Sequence, residues 1–86
     1  MSEPLTGGCL CGAVRYEVDA PVTRLVACYC ADCRKATSAG GSVSAVIPAS
    51  AFRITRGRTR VFTKTADSGA PIDRHFCGDC GSWIYN

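Results

Sequence analysis

The 86-residue sequence has no apolar run long enough to cross a membrane. Its first residues, M-S-E-P-L-T-G-G, have neither the basic segment nor the apolar core of a signal peptide. It also has no low-complexity tail and no internal repeat. We therefore expect a cytoplasmic protein without membrane association. The length predicts a single domain, residues 1–86, and a domain this small often needs a metal, disulfides or a partner to be stable.

Neither disorder nor nucleic-acid binding is indicated by the composition. Hydrophobic residues make up 47% of the chain and charged residues 20%, which is ordinary for a globular protein. The formal charge is +3, and arginines cluster in R-I-T-R-G-R-T-R at positions 53–60. If all seven cysteines bound two Zn²⁺ ions as thiolates, the seven negative and four positive charges would bring the total to zero. We therefore expect the arginines to lie on the solvated face of strands.

Seven cysteines in so short a chain are the unusual feature. A secreted small protein would pair them as disulfides, whereas a cytosolic protein would use them to bind metal or to do thiol chemistry. An odd number leaves one cysteine unpaired in any disulfide framework. Together with the absence of a signal-like N-terminus, this predicts reduced thiols that bind metal.

Alternating apolar and polar residues predict a mainly β protein. We expect Gly57 to lie in a hairpin turn between its two neighbouring strands. One short helix is predicted, with Asp32 as N-cap, Cys33–Ala36 as its first turn and Gly40-Gly41 as its end. The fold class is therefore a small, zinc-stabilised antiparallel β domain with one short helix. The expected strands are Ala13–Val18, Arg24–Cys28, Ser42–Ile47, Phe52–Thr55, Arg60–Lys64, Ile72–Phe76 and Ser82–Tyr85.

The outer cysteines form two glycine-flanked pairs near the ends of the sequence. Cys9-x-Cys11 lies in G-G-C-L-C-G, and Cys77-x-x-Cys80 lies in C-G-D-C-G. Glycines allow the backbone to fold beneath the sulfur atoms. Joining these pairs closes a long loop, which is where a cross-link stabilises most in principle. Because a closed structural zinc site takes four ligands, we predict one here.

The three central cysteines lie in C-Y-C-A-D-C, at positions 28, 30 and 33. Cys33 is expected near a helix N-terminus and is followed by Arg34 and Lys35, all of which favour a thiolate. Three ligands leave one coordination position open, so we predict a second, labile zinc site at Cys28, Cys30 and Cys33. Two alternatives remain: His75 could complete a closed site, or Cys30 and Cys33 could form a thioredoxin-like pair, although the expected βαβ context is missing.

Three linked motifs resemble the glutathione-dependent formaldehyde-activating enzyme (Gfa-like) family, whose zinc-held β fold is grouped with Mss4-like proteins. They are G-G-C-L-C-G-A-V-R-Y, C-Y-C-A-D-C-R-K-A-T and R-H-F-C-G-D-C-G. The resemblance implies a structural zinc on the outer four cysteines and a catalytic zinc on the central three. It also implies carbon–sulfur lyase activity that adds glutathione to formaldehyde and forms S-(hydroxymethyl)glutathione.

The sequence departs from the family pattern in two places. Tyr29 stands where the family often has histidine, and a neighbouring strand residue that points away from a metal can vary freely. The chain also stops at Asn86, whereas family members continue well beyond the last motif. The single domain is therefore expected to be C-terminally short relative to the family. Whatever the additional segment of family members supplies to the fold or the substrate pocket is then expected to be absent.

Two classes of function are compatible with these residues. As an enzyme, the chain would bind glutathione as a small thiol substrate, and Arg34, Lys35, Gly40 and Gly41 would contact its carboxylates. As a non-catalytic zinc-binding module, it would bind a thiol metabolite or a protein partner. A truncated remnant, in which the metals serve only folding, is a third interpretation. The apolar strand Ser82–Tyr85 predicts a homodimer that covers this strand.

Overall fold

The computed structural model describes residues 4–86, which form eight β-strands and one α-helix. This confirms the prediction of a mainly β fold with one short helix. A turn of 3-10 helix at Ala49–Ala51 precedes the fifth strand. The elements are β1 Leu5–Gly8, β2 Arg15–Val18, β3 Leu25–Cys28, α1 Ala31–Thr37, β4 Ser42–Ala45, β5 Phe52–Arg56, β6 Arg60–Thr65, β7 Pro71–Phe76 and β8 Trp83–Tyr85.

The strands form three small antiparallel sheets, in the orders β1-β2-β5, β3-β4 and β6-β7-β8. Strand β1 was not expected from the sequence, because glycine is unfavourable in strands and two of its four residues are glycines. Gly7 lies opposite Tyr16 in β2. A Cβ atom at Gly7 would lie 2.5 Å from the Tyr16 ring, so the absence of a side chain allows this contact.

The predicted hairpin about Gly57 is wrong, although both of its strands exist. Strand β5 pairs with β2, and β6 pairs with β7, so the two belong to different sheets. Gly57 has a φ of +74°, and a Cβ atom there would lie 2.2 Å from the Ala13 carbonyl oxygen. Gly57 is therefore needed for a close crossing over Ala13 while the chain passes from one sheet to the next.

The helix begins earlier than expected, because its N-cap is Cys30 and not Asp32. The Cys30 side chain accepts a hydrogen bond from the backbone N–H of Cys33, the role that a serine or aspartate oxygen usually has. The helix ends at Thr37 and is capped by Ser38, whose φ of 55° is left-handed, before Gly40-Gly41. Cys30 therefore has two features at once: it belongs to the central cysteine motif, and it caps the start of the helix.

The most buried part of the molecule contains cysteines. Val14 and Cys77 are each 1% exposed, and Cys9 is 8% exposed. Tyr85 stacks on His75 at 4.1 Å and lies 4.6 Å from Phe52, which joins the sheet of β8 to that of β5. The partly buried residues packed against this core are Ala13, Ile54, Cys80 and Ile84.

The core is small, and several large apolar side chains remain exposed. They include Leu25 and Val43 on the β3–β4 sheet and Phe62 on β6. Within residues 4–86, no helix has the length and apolar character needed to cross a lipid bilayer. Cysteines therefore make up a large part of the few buried side chains, namely Cys9, Cys33 and Cys77.

Candidate metal centres

The outer cysteines converge although they are far apart in sequence. The Sγ atoms of Cys9, Cys11, Cys77 and Cys80 all lie within 4.8 Å of one another. Cys9 Sγ is 3.6 Å from Cys11 Sγ, and Cys11 Sγ is 3.8 Å from Cys77 Sγ. Four sulfur atoms at the usual zinc–sulfur distance of about 2.3 Å are about 3.8 Å apart in a tetrahedron. The arrangement therefore fits a four-thiolate zinc site.

A tight turn after β1 positions the first pair. The backbone N–H of Cys9 donates to the Val14 carbonyl at 3.0 Å, and the Gly12 N–H donates to the Cys9 carbonyl at 3.2 Å. The N–H of Val14 also donates to Cys9 Sγ at 3.2 Å. A backbone donor aimed at the sulfur atom stabilises the thiolate that a metal requires.

The turn between β7 and β8 presents the second pair in the same way. The Cys77 carbonyl accepts from the Gly81 N–H at 2.8 Å, and Cys77 Sγ accepts from the Asp79 N–H at 3.4 Å. Gly81 has a φ of +79°, which this turn requires. Both outer pairs therefore have an amide N–H directed at one of their sulfur atoms.

Ser82 joins the two outer pairs. Its Oγ accepts a hydrogen bond from the Leu10 N–H at 3.0 Å and lies 3.2 Å from Cys80 Sγ. Its carbonyl accepts from the Cys77 N–H at 2.8 Å. Ser82 was not singled out from the sequence, although its place two residues after Cys80 in a short turn is the signal that could have identified it.

The outer thiols influence one another strongly. Hydrogen bonds from the Ser82 side chain and backbone lower the pKa of Cys80 to about 5, and the Val14 N–H lowers the pKa of Cys9. The Ala13 N–H acts to lower the pKa of Cys11, but Cys9 and the other crowded thiols outweigh it and raise that pKa to about 12. Crowded thiols that push one another's pKa values apart, as Cys9, Cys11 and Cys80 do, have the chemistry of a metal site.

The central cysteines also converge. The Sγ atoms of Cys28, Cys30 and Cys33 lie within 4.8 Å of one another, and Cys28 Sγ is 3.4 Å from Cys30 Sγ. Cys28 ends β3, Cys30 caps the helix, and Cys33 is the one buried residue of the helix. Cys30 is exposed and Cys28 is half-buried. Three thiols fit a metal site with one position left for another ligand.

Two side chains beside the central cysteines were missed by sequence reasoning. The Cys28 thiol, the buried Ser42 hydroxyl and the Arg74 guanidinium all act to lower the pKa of Cys33, which is about 7. Cys33 in turn raises the pKa of Cys28. Strand alternation in I-D-R-H-F could have identified Arg74, because it places Arg74 and His75 on opposite faces.

His75 does not belong to the central group. Its Nδ1 lies 2.8 Å from the Thr59 hydroxyl, and its ring stacks on Tyr85. The group of possible ligand atoms contains the three central cysteines and no histidine. The structure therefore gives no support to His75 as a fourth ligand.

The residues expected to contact glutathione lie around the helix. Arg34 and Lys35 are exposed in its last turn, Gly40 is exposed, and Gly41 is half-buried. They are accessible to a ligand from solvent. The cation beside Cys33, however, is Arg74 from β7.

Two surface cavities lie away from the central cysteines. One of about 140 Å³ is next to β5 and is lined by Glu17 and Arg53 among others. The other, of about 330 Å³, lies beside the outer group and is lined by Arg60 and Cys77 among others. No central cysteine lines either cavity.

One family model and two curated relatives that match this chain carry the same description. The model of a family described as glutathione-dependent formaldehyde-activating enzyme matches residues 4–86. A Halomonas elongata protein, provisionally named a glutathione-dependent formaldehyde-activating enzyme, is 33% identical over 95% of this chain. An Emericella nidulans protein with the same provisional name is 32% identical over 90% of the chain. The matches cover only 56% and 39% of the lengths of these two relatives.

Proposed function

The chain belongs to the glutathione-dependent formaldehyde-activating enzyme family, and from this premise we propose that it binds two zinc ions and acts on glutathione and formaldehyde. The proposed reaction is that of a carbon–sulfur lyase, in which the glutathione sulfur and the formaldehyde carbon form S-(hydroxymethyl)glutathione. The observation that supports it is the central cysteine group, which offers three thiols where a closed zinc site would use four.

The two cysteine groups have different proposed roles. Cys9, Cys11, Cys77 and Cys80 hold a structural zinc, while Cys28, Cys30 and Cys33 hold a second, exchangeable zinc. A zinc ion with an open position supplies a Lewis acid that favours the thiolate of a bound thiol. The exposure of Cys30, next to the half-buried Cys28, keeps this position accessible to a small thiol substrate.

The chain's own polar groups would orient glutathione. Arg34 and Lys35 project from the helix into solvent, and their positive charges suit the two carboxylates of glutathione. The backbone N–H groups of Gly40 and Gly41 lie in the connection that follows the helix and would add hydrogen bonds. With these contacts, the protein would bind glutathione more tightly than it binds a thiol that has no carboxylates.

A non-catalytic zinc-binding module is the second candidate. It is favoured by the position of the central cysteines, none of which lines either of the two cavities described above. Such a module would bind a thiol metabolite or a protein partner at the same open position, without accelerating the reaction. The two candidates therefore differ in rate and not in metal content.

The experiment begins with metal analysis of the purified protein. We expect two zinc ions per chain in the wild type and one in Cys33→Ser. Formation of S-(hydroxymethyl)glutathione is then followed by NMR exchange spectroscopy, with Cys33→Ser as the matched control. A faster exchange in the wild type than in the variant supports the enzyme. Equal rates with intact glutathione binding support the module, and a single zinc in the wild type contradicts both.

We also propose a cytoplasmic homodimer that does not bind nucleic acid. Strand β8 lies at the edge of its sheet, where it pairs with β7 on one side, and Trp83 and Tyr85 are half-buried. An apolar edge strand can be covered by the same strand of a second copy. Sedimentation across a concentration series tests this, and a species of about 9.1 kDa at every concentration would contradict it.

A further inference from the structure

Three arginine side chains lie against glycines that are next to the outer cysteines in the chain. A Cβ atom at Gly8, the residue before Cys9, would lie 2.8 Å from both Cδ and Nη1 of Arg15. Arg15 lies opposite Gly8 in the β1–β2 pair, so the two residues share one face of the sheet. The Arg15 side chain therefore occupies the space that a side chain at Gly8 would need.

The other two arginines make similar contacts, one at each cysteine pair. The Nη2 atom of Arg56 donates to the carbonyl oxygen of Gly12, which follows the first pair, at 3.2 Å. A Cβ atom at Gly78, which lies within the second pair, would be 2.6 Å from Cδ and 3.9 Å from Nε of Arg60. Arg60 also lines one cavity together with Cys77. Because consecutive Cα atoms are about 3.8 Å apart, each of the three guanidinium groups lies within about 10 Å of an outer cysteine.

None of these three arginines forms an ion pair with another described residue. The two ion pairs in the described part of the chain involve Arg53 and Lys64. Arg15 and Arg56 lie directly opposite each other in the β2–β5 pair, an arrangement in which like charges destabilise a sheet. A negative charge close to both arginines would offset this repulsion.

The outer cysteine group supplies such a charge when it holds a metal. Four thiolates with one Zn²⁺ carry a net charge of −2, and binding of the metal releases thiol protons. Asp79, which lines the cavity with Arg60, adds a further negative charge. At low salt, opposite charges attract each other across about 10 Å even where solvent reaches them. The three arginines are therefore placed to favour the metal-bound state over the metal-free state.

We propose that Arg15, Arg56 and Arg60 balance the charge of the outer metal centre and thereby slow the release of its zinc. This inference rests on the proposed function, because it assumes a zinc ion on the outer four cysteines. It also gives two arginines of the segment 53–60 a role in metal binding, although both of them are exposed to solvent.

The test measures zinc release from each cysteine group of the full chain. Zinc-loaded protein is mixed with excess chelator at low salt, and the thiols that become free are alkylated and identified by peptide mass spectrometry. The outer cysteines of Arg15→Gln and of Arg60→Gln should be alkylated about threefold faster than those of the wild type, because one positive charge near the centre is lost. Alkylation of the central cysteines should be unchanged, which makes them an internal control.

Two further variants and a change of salt separate charge from packing. Arg24→Gln is the matched control, because Arg24 is exposed and is not among the side chains that lie against these glycines. It should release zinc at the wild-type rate. Arg60→Lys keeps the charge and should also release zinc at close to this rate. In about 1 M salt, where the Debye length is about 3 Å, Arg60→Gln should no longer differ from the wild type.

The outcomes distinguish this inference from the proposed function. Equal release from the outer group in Arg15→Gln, Arg60→Gln and the wild type would overturn the inference alone. So would a difference between Arg60→Gln and the wild type that persists in about 1 M salt, because packing does not depend on salt in this way. A wild type without zinc on the outer cysteines would overturn both. Circular dichroism shows which variants are folded, and Arg15→Gln, in a different sheet, serves if Arg60→Gln is not.

Discussion

The outer and central cysteine groups differ most in their surroundings. The outer group lies in the core beside Val14, and its sulfur atoms accept hydrogen bonds from the N–H groups of Val14 and Asp79. The central group lies at the edge of a two-stranded sheet, and one N–H, from Cys33, points at Cys30 Sγ. Each group has one exposed thiol, Cys11 in the outer group and Cys30 in the central group, so hydrogen bonding separates them more than burial does. Sulfur atoms that accept more N–H hydrogen bonds suit a permanent ligand set, whereas those that accept fewer suit exchange.

The difference teaches how a small domain can separate folding from reactivity. Val14 and Cys77 form a core of very few residues, so a metal on the outer group would replace much of the hydrophobic core that this chain lacks. By contrast, Leu25 is 66% exposed and Val43 is 73% exposed on the sheet that holds the central group. That sheet contributes little burial, and its opening would cost the fold little.

The largest expected effect comes from exchanging one cysteine in each group for serine. Cys80→Ser should leave little folded protein, because a structural zinc contributes on the order of 10 kcal/mol of apparent binding energy. Cys33→Ser should lower the melting temperature far less. Thermal unfolding followed by circular dichroism of zinc-loaded protein measures both. Equal melting temperatures for Cys80→Ser and the wild type would show that the outer group does not hold the fold.

Partial removal of metal should distinguish the groups next. A limiting amount of chelator should take zinc from the central group first, because this group has three thiols instead of four and fewer amide donors to its sulfur atoms. Alkylation and peptide mass spectrometry should then label Cys28, Cys30 and Cys33 while the outer four stay protected. If all seven cysteines were labelled equally when half of the zinc has been removed, the two groups would lose metal together. They would then not differ in the way described here.

Two serines allow a finer comparison at the level of hydrogen bonds. Ser82 bridges the outer pairs, and the buried Ser42 lies beside Cys33. Ser82→Ala should weaken zinc binding by the outer group about tenfold, the lower end of the range for residues that orient ligands. Ser42→Ala should weaken binding by the central group and leave the outer group unchanged. Competition with a chromophoric chelator gives the two affinities, and a loss at both groups in either variant would contradict their independence.

Sequence reasoning predicted seven of the eight strands and the grouping of the cysteines, four and three, because both depend on local patterns. Alternation located β7, capping and stop residues located the helix, and flanking glycines marked the outer pairs. Sequence reasoning failed where contacts between distant parts of the chain determine the local structure. Gly57 looked like a hairpin turn, but its close approach to Ala13 separates two sheets. Nothing local indicated that Cys30 would replace Asp32 as N-cap.

The same limit applies to the polar residues around the candidate sites. Arg34 and Lys35 were noticed because they follow Cys33 directly, yet the cation beside Cys33 comes from a strand about forty residues later. Strand alternation can place Arg74 on a face, but it does not show what packs on that face. Only the pairing of β6 with β7 and the docking of the helix bring Arg74 to Cys33.

The smallest expected effect concerns the attachment of the helix. Cys33 is its one buried residue, and the Lys64–Asp32 ion pair also joins it to β6. Solvent-exposed ion pairs contribute little to stability, so Lys64→Gln should shift the melting temperature by no more than a few degrees. Its effect on hydrogen exchange of the helix amides should likewise be slight, whereas removal of the central zinc should accelerate exchange across residues 31–37. If Lys64→Gln accelerates that exchange as much as metal removal does, the helix is held by the ion pair and not by the central cysteines. The contrast between a core group that holds the fold and an outlying group that holds one helix would then have to be abandoned.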